Sequence, residues 1–171
     1  QPNGEMVPPM EFIPIAEESG LIGAMGAWAL RQACRNAVQW PNDIRVSVNV
    51  AATQFTASNV VGAVESALEW SGLPAHRLEL EVTETIMLKD DAATLSALQT
   101  LREMGVTIAL DDFGTGFASL SYLRSFPFDK IKIDKCFVQD ITTSKSCFAI
   151  VQAIVGMTRG LGMLTVAEGV E

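Results

Sequence analysis

Apolar and polar residues alternate along three short stretches of the chain. In 44–50, Val46, Val48 and Val50 interleave with Arg45, Ser47 and Asn49. In 78–83, Leu78, Leu80 and Val82 interleave with Glu79, Glu81 and Thr83, and in 130–134 Ile131 and Ile133 interleave with Lys130, Lys132 and Asp134. Strand side chains alternate between faces, so each stretch predicts a strand with one greasy and one polar face. The β-branched runs "VTIALD" (106–111) and "MLTVAEG" (163–169) add two more strands.

Between the strands the apolar period lengthens to that of a helix. "EFIPIAEESG" predicts a short helix stopped near Gly20, and "LIGAMGAWALRQACRNAVQW" a longer one ended by Pro41. "NVVGAVESALEWSG" predicts a helix ending near Gly72, and "DDAATLSALQTLREMG" one running from an aspartate cap to Gly105. "ASLSYLRS" reads as a short helix and "SKSCFAIVQAIVGMTRGLG" as a long one. Strand and helix therefore alternate, which predicts parallel pairing with right-handed crossovers and an α/β fold. A doubly wound sheet is apolar on both faces. Three strands with one polar face fit a barrel better: the greasy face packs on outer helices and the polar face looks inward.

At the carboxyl ends of the strands, where such barrels build their sites, stand Asn49, Glu81, Asp111, Asp112, Asp134 and Glu168. One aspartate after a strand is usually a helix cap. Polar groups closing most of five consecutive strands are harder to assign to capping. Asp111 and Asp112 are adjacent, and like charges need a cation or a proton between them. Asn, Glu and Asp oxygens converging on one point suit a hard divalent ion such as Mg²⁺ or Mn²⁺. On the inward face Lys132 is compatible with balancing Asp134, or with steadying a water-derived nucleophile or a phosphate oxygen. Glu168 is compatible with a ligand or a general base. Glu84 lies past its strand and is expected to support a loop.

Composition narrows these readings. The chain has 171 residues, about half of them apolar, and a net charge of −8. An acidic surface argues against a partner that is a nucleic acid polymer. No apolar run reaches the length of a membrane span, so no direct membrane insertion is expected. No signal peptide is expected either. Cys34, Cys136 and Cys147 lack metal-ligand spacing, and a reducing cytoplasm is the expected location. The single histidine, His76, rules against a Ser-His-Asp triad and suits a surface or capping role. Asp112-Phe113-Gly114 matches the kinase triplet, but no Gly-rich loop or catalytic-loop motif accompanies it. "GTGFAS" departs from GxGxxG at its last position and follows two carboxylates, which would repel a phosphate.

The segments "FIPIAEESGLI", "VSVNVA", "LELEVTE", "IALDDFGTGFASLSYL", "KIDKCFV" and "VAEGVE" occur in order along the chain. Together they resemble the successive motifs of the EAL family, bacterial phosphodiesterase domains acting on cyclic di-GMP. The resemblance implies a modified (β/α)8 TIM-type barrel, incomplete in this chain, with residues 1–171 a single partial EAL domain. It implies metal-dependent hydrolysis of cyclic di-GMP to linear pGpG with two Mg²⁺ or Mn²⁺ ions. By resemblance Asn49, Glu81 and Asp111 ligate the first metal, and Asp111 and Asp112 hold the second. Lys132 contacts the nucleophilic water, Glu168 is the general base, and Glu84 anchors the loop after Asp112. Asp134 is a possible additional site residue. The family also implies a homodimer, with sensory or GGDEF domains on the same parent chain, which itself could be anchored in a membrane. The Glu-Ala-Leu that names the family is not found here, and Cys136 stands where the family usually has serine. Such a barrel takes about 250 residues, so this segment alone is expected to be inactive. The alternative is a catalytically inactive cyclic di-GMP receptor, which a replaced first-strand glutamate would favour.

Overall fold

The computed structural model describes residues 6–89, 92–116 and 120–170. Five parallel strands form one sheet: β1 (Val46–Asn49), β2 (Leu78–Thr83), β3 (Thr107–Phe113), β4 (Lys130–Ile133) and β5 (Leu164–Ala167). Their spatial order is their chain order, β1-β2-β3-β4-β5. A doubly wound sheet reverses direction at a switch point. A monotonic order with crossovers of one hand keeps the helices on one face and curls the sheet toward a barrel. The architecture is TIM-barrel-like, and the barrel is incomplete in this chain.

The helices are α1 (Pro9–Glu18), α2 (Ile22–Ala37), α3 (Ala52–Ala57), α4 (Val60–Ser71), α5 (Ala92–Glu103), α6 (Leu120–Ser125), α7 (Lys135–Gln139) and α8 (Lys145–Leu161). Sequence pattern finds the long ones within a few residues. It misses α3, α7 and the 3-10 turns Ala75–Arg77 and Glu84–Lys89, which are too short to show a period. The expected aspartate cap before α5 lies outside the described residues, as does the start of the "ASLSYLRS" helix.

Local chemistry sets the ends of these elements. The Asn59 side chain accepts from Gly62 N at the start of α4, and Ser144 Oγ accepts from Cys147 N at the start of α8. Gly162 ends α8 at φ 74°, a left-handed conformation that glycine adopts without steric cost. Arg77, only 3% exposed, donates to the carbonyls of Ala37, Pro41 and Ile44, tying the end of α2 to the start of β2.

The core lies between the sheet's outer face and the helices. Leu78, Leu80, Ile108, Leu110, Ile131 and Ile133 are at most 1% exposed. They pack with Leu30, Cys34, Val64, Leu98, Leu101 and Ile154 from the helices. Burying one such side chain contributes about 1.5–3 kcal/mol. The greasy faces therefore point outward to the helices, which leaves the polar faces inside.

Candidate active site

The inner face is read directly from register. Parallel partners share a face, and Asn49 pairs with Glu81, Thr83 with Asp111, and Lys132 with Val166. Glu168 follows β5 and donates its N–H to the Ile133 carbonyl, 3.1 Å away. Strands β2, β3 and β4 and the end of β5 thus deliver Glu81, Asp111, Lys132 and Glu168 to one place. Lys132 Nζ lies 3.0 Å from Glu81 Oε1, 2.9 Å from Asp111 Oδ1 and 2.6 Å from Glu168 Oε1. Burial by itself would lower the Lys132 pKa, but hydrogen bonds to Glu168, Asp111 and Glu81 outweigh it and hold the ammonium above its usual value. The sequence-based option of Lys132 balancing Asp134 is corrected here: the lysine is committed to the other three carboxylates.

Asp111 and Asp112 are neighbours in a strand, and neighbours should point to opposite faces. A bulge brings them together. Leu110 pairs with Ile131 and Phe113 with Ile133, so β3 spends three residues where β4 spends two. Asp112 takes the extra place at φ 53°, the one non-glycine residue at positive φ among the described residues. Asp tolerates that region better than most residues do. The result is that carboxylate oxygens of Asp111, Asp112 and Glu168 lie within 4.8 Å of one another. This bulge is the feature that sequence alternation misses, because it breaks the period of two.

The electrostatics follow from that crowding. Partial burial, then the neighbouring Asp111 charge and a hydrogen bond with Asp134, push the Asp112 carboxyl above its ordinary range. Asp134 has a different task. It caps α7, accepting from Cys136 N at 2.8 Å. Hydrogen bonds from the Cys136 side chain and backbone lower its pKa. The same contact with Asp134 raises the Cys136 thiol to about 11. Asp134 therefore touches the cluster from the side, through Asp112. Asn49 stands exposed at the end of β1, level with Glu81.

Glu84 opens the 3-10 turn after β2 and reaches the loop after Asp112. Its Oε1 accepts from Gly114 N at 2.6 Å. A Cβ on Gly116 would come within 2.3 Å of Glu84 Oε2, so a larger residue there would have to displace the Glu84 carboxylate. A shallow concavity of about 370 Å³ lies at the opposite rim, lined by Arg102, Phe126, Phe128 and Met163 among others. It contains none of these carboxylates.

The cluster is acidic, oxygen-rich and placed at the carboxyl ends of the strands. Oxygen donors this close, with a carboxyl pKa raised by its neighbour, fit a hard divalent cation. Asp111, Asp112 and Glu168 could hold one, with Glu81 and Asn49 next to them.

The family model for the EAL domain matches residues 1–171. The y4lL protein of Sinorhizobium fredii is 49% identical over 99% of this chain and 21% of its own length. The cyclic di-GMP phosphodiesterase NbdA of Pseudomonas aeruginosa is 41% identical over 99% of this chain and 22% of its own. The chain spans about a fifth of the length of these curated relatives. A solved structure of the PaMucR phosphodiesterase in complex with c-di-GMP superposes with a TM-score of 0.92 at 40% identity, covering 100% of this chain and 71% of that one. A family match along the full chain, relatives at this identity and a shared half-barrel agree: the chain belongs to the EAL domain family.

Proposed function

We propose that this domain, within its parent protein, hydrolyses one phosphodiester of cyclic di-GMP to linear pGpG with two Mg²⁺ or Mn²⁺ ions. The observation that carries the reading is the Lys132 ammonium held among Glu81, Asp111 and Glu168, beside the oxygen cluster of Asp111, Asp112 and Glu168. The names of NbdA and of the PaMucR complex support the substrate. Asn49, Glu81 and Asp111 would hold one ion, and Asp111 with Asp112 the other. Ions bound there would lower the pKa of water and offset the phosphate charge, which is how an acidic site accepts an anion.

The chain's own residues do the rest. Glu168 takes the proton from the attacking water. Lys132, 2.6 Å from Glu168 Oε1, fixes the position of that carboxylate and orients the water. Glu84 fixes the loop after Asp112 through Gly114 N, so the second carboxylate stays placed. Asp134 supports Asp112 from its position capping α7. The domain works as a homodimer in the cytoplasm, with sensory or GGDEF domains on the same chain.

The test is incubation of the parent protein with cyclic di-GMP and Mg²⁺ or Mn²⁺, with and without EDTA, the products resolved by mass. Metal-dependent pGpG is the expected product. Binding without product would instead identify a receptor that keeps the pocket and has lost the chemistry. Glu168→Gln should lower turnover by about 10²–10⁴-fold while sparing nucleotide binding. Undiminished turnover in that variant would remove Glu168 from the base role.

A further inference from the structure

One strand step beneath the carboxylate cluster, the same inner face carries a second ion pair. Glu79 and Glu81 share that face of β2, and Lys130 and Lys132 share it on β4. Two residues along a parallel strand span about 6.6 Å. Lys130 Nζ is bonded to Glu79 Oε2, and Ser47 Oγ donates to Glu79 Oε1 at 3.2 Å. To reach Glu79 the Lys130 side chain crosses β3, where its register partner is Ala109, a bare methyl. Glu79 is only 3% exposed.

A carboxylate buried that deeply is costly without a cation. Two ammoniums are available to it on β4. Because Lys130 is spent on Glu79, Lys132 is left to Glu81, Asp111 and Glu168. We propose that Lys130 and Glu79 are a positioning pair that reserves Lys132 for the upper cluster, and thereby tunes how strongly the cluster holds a divalent ion. The inference rests on the proposed metal-dependent use of that cluster. Remove Lys130, and Glu79 draws the Lys132 ammonium down one strand step. Glu81 and Asp111 then lose their protein cation and become freer to accept a metal ion.

The test is a cycle of Mn²⁺ affinities, measured by calorimetry on the parent protein, with circular dichroism as the check on folding. Lys130→Met should bind Mn²⁺ about five-fold tighter, within the range that couplings between neighbouring groups reach. Adding Glu79→Gln to Lys130→Met should return the affinity to within about two-fold of wild type. In a Lys132→Met background, Lys130→Met should change affinity by less than about two-fold. Equal tightening with and without Lys132 would overturn the proposal, since only the long-range field would have changed. So would no tightening at all. If Lys130→Met does not fold, Glu79→Gln alone decides. It frees Lys130 and leaves Lys132 in place, so an affinity within about two-fold of wild type supports the pair, and a larger weakening overturns it. A wild type that binds no Mn²⁺ removes the inference together with the metal-dependent reading. A wild type that binds Mn²⁺ but yields no pGpG removes the phosphodiesterase reading and leaves the cycle decisive.

Discussion

Asp112 bears the cost of the site when no cation is bound. Partial burial, Asp111 and Asp134 raise its pKa, so the folded protein holds the proton more tightly than the unfolded chain does. A folded-state pKa above the unfolded one contributes stability below the unfolded value, and that stability is lost as pH rises through the folded one. At neutral pH the charged Asp112 therefore opposes folding. Asn cannot ionise and tolerates positive φ. In EDTA, Asp112→Asn should melt at a higher temperature than wild type near pH 7.5, and the gap should close as pH falls below the ordinary aspartate range. Saturating Mn²⁺ should reverse the order, because the amide is the weaker ligand. Identical melts near pH 7.5 in chelator would show that the clustered charges are not a cost. Much of this cluster was legible residue by residue, since Asn49, Glu81, Asp111, Asp112 and Glu168 all stand where strands were expected to end. Which carboxylates Lys132 joins was not legible, because that depends on three other strands.

At the level of elements, β3 is the strand that makes the site. Its bulge turns Asp112 onto the side of Asp111, and it resumes pairing at Phe113, which is buried against the core. Leu110, fully buried just before the bulge, is the anchor on the helix side. Leu110→Ala should cost about 2–5 kcal/mol of stability, read from denaturant unfolding. A cost below about 1 kcal/mol would mean that the core under the bulge collapses to fill the space. The alternation expected in β2 and β4 holds because one of their faces meets the helices and the other does not. The short α3 and α7 carry little helical period in so few residues, and α7 is set by its Asp134 cap.

At the scale of the whole sheet, β1 and β5 are its two edges. Among the described residues β1 pairs only with β2, and β5 only with β4. On β5 the inward residues Leu164 and Val166 are 62% and 37% exposed. An open strand edge beside exposed apolar side chains is a template for pairing with another chain. Prepared by itself, the stretch of 171 residues should therefore self-associate in a concentration-dependent way. Leu164→Lys should reduce the association, as read by light scattering. A monodisperse wild type at tens of micromolar, about the range in which exposed edges associate, would show the edge to be protected.

The sequence by itself determined the elements and their sidedness. Alternating valines and leucines specify strands with one apolar face, and helical spacing between them specifies the crossovers, because both periods are local properties of the backbone. The monotonic strand order, the bulge at Asp112 and the sharing of Lys132 among Glu81, Asp111 and Glu168 were decided only by the tertiary structure. Each depends on which strands become neighbours and in what register, and residues as far apart in sequence as Glu81 and Lys132 acquire that relation only when the sheet assembles.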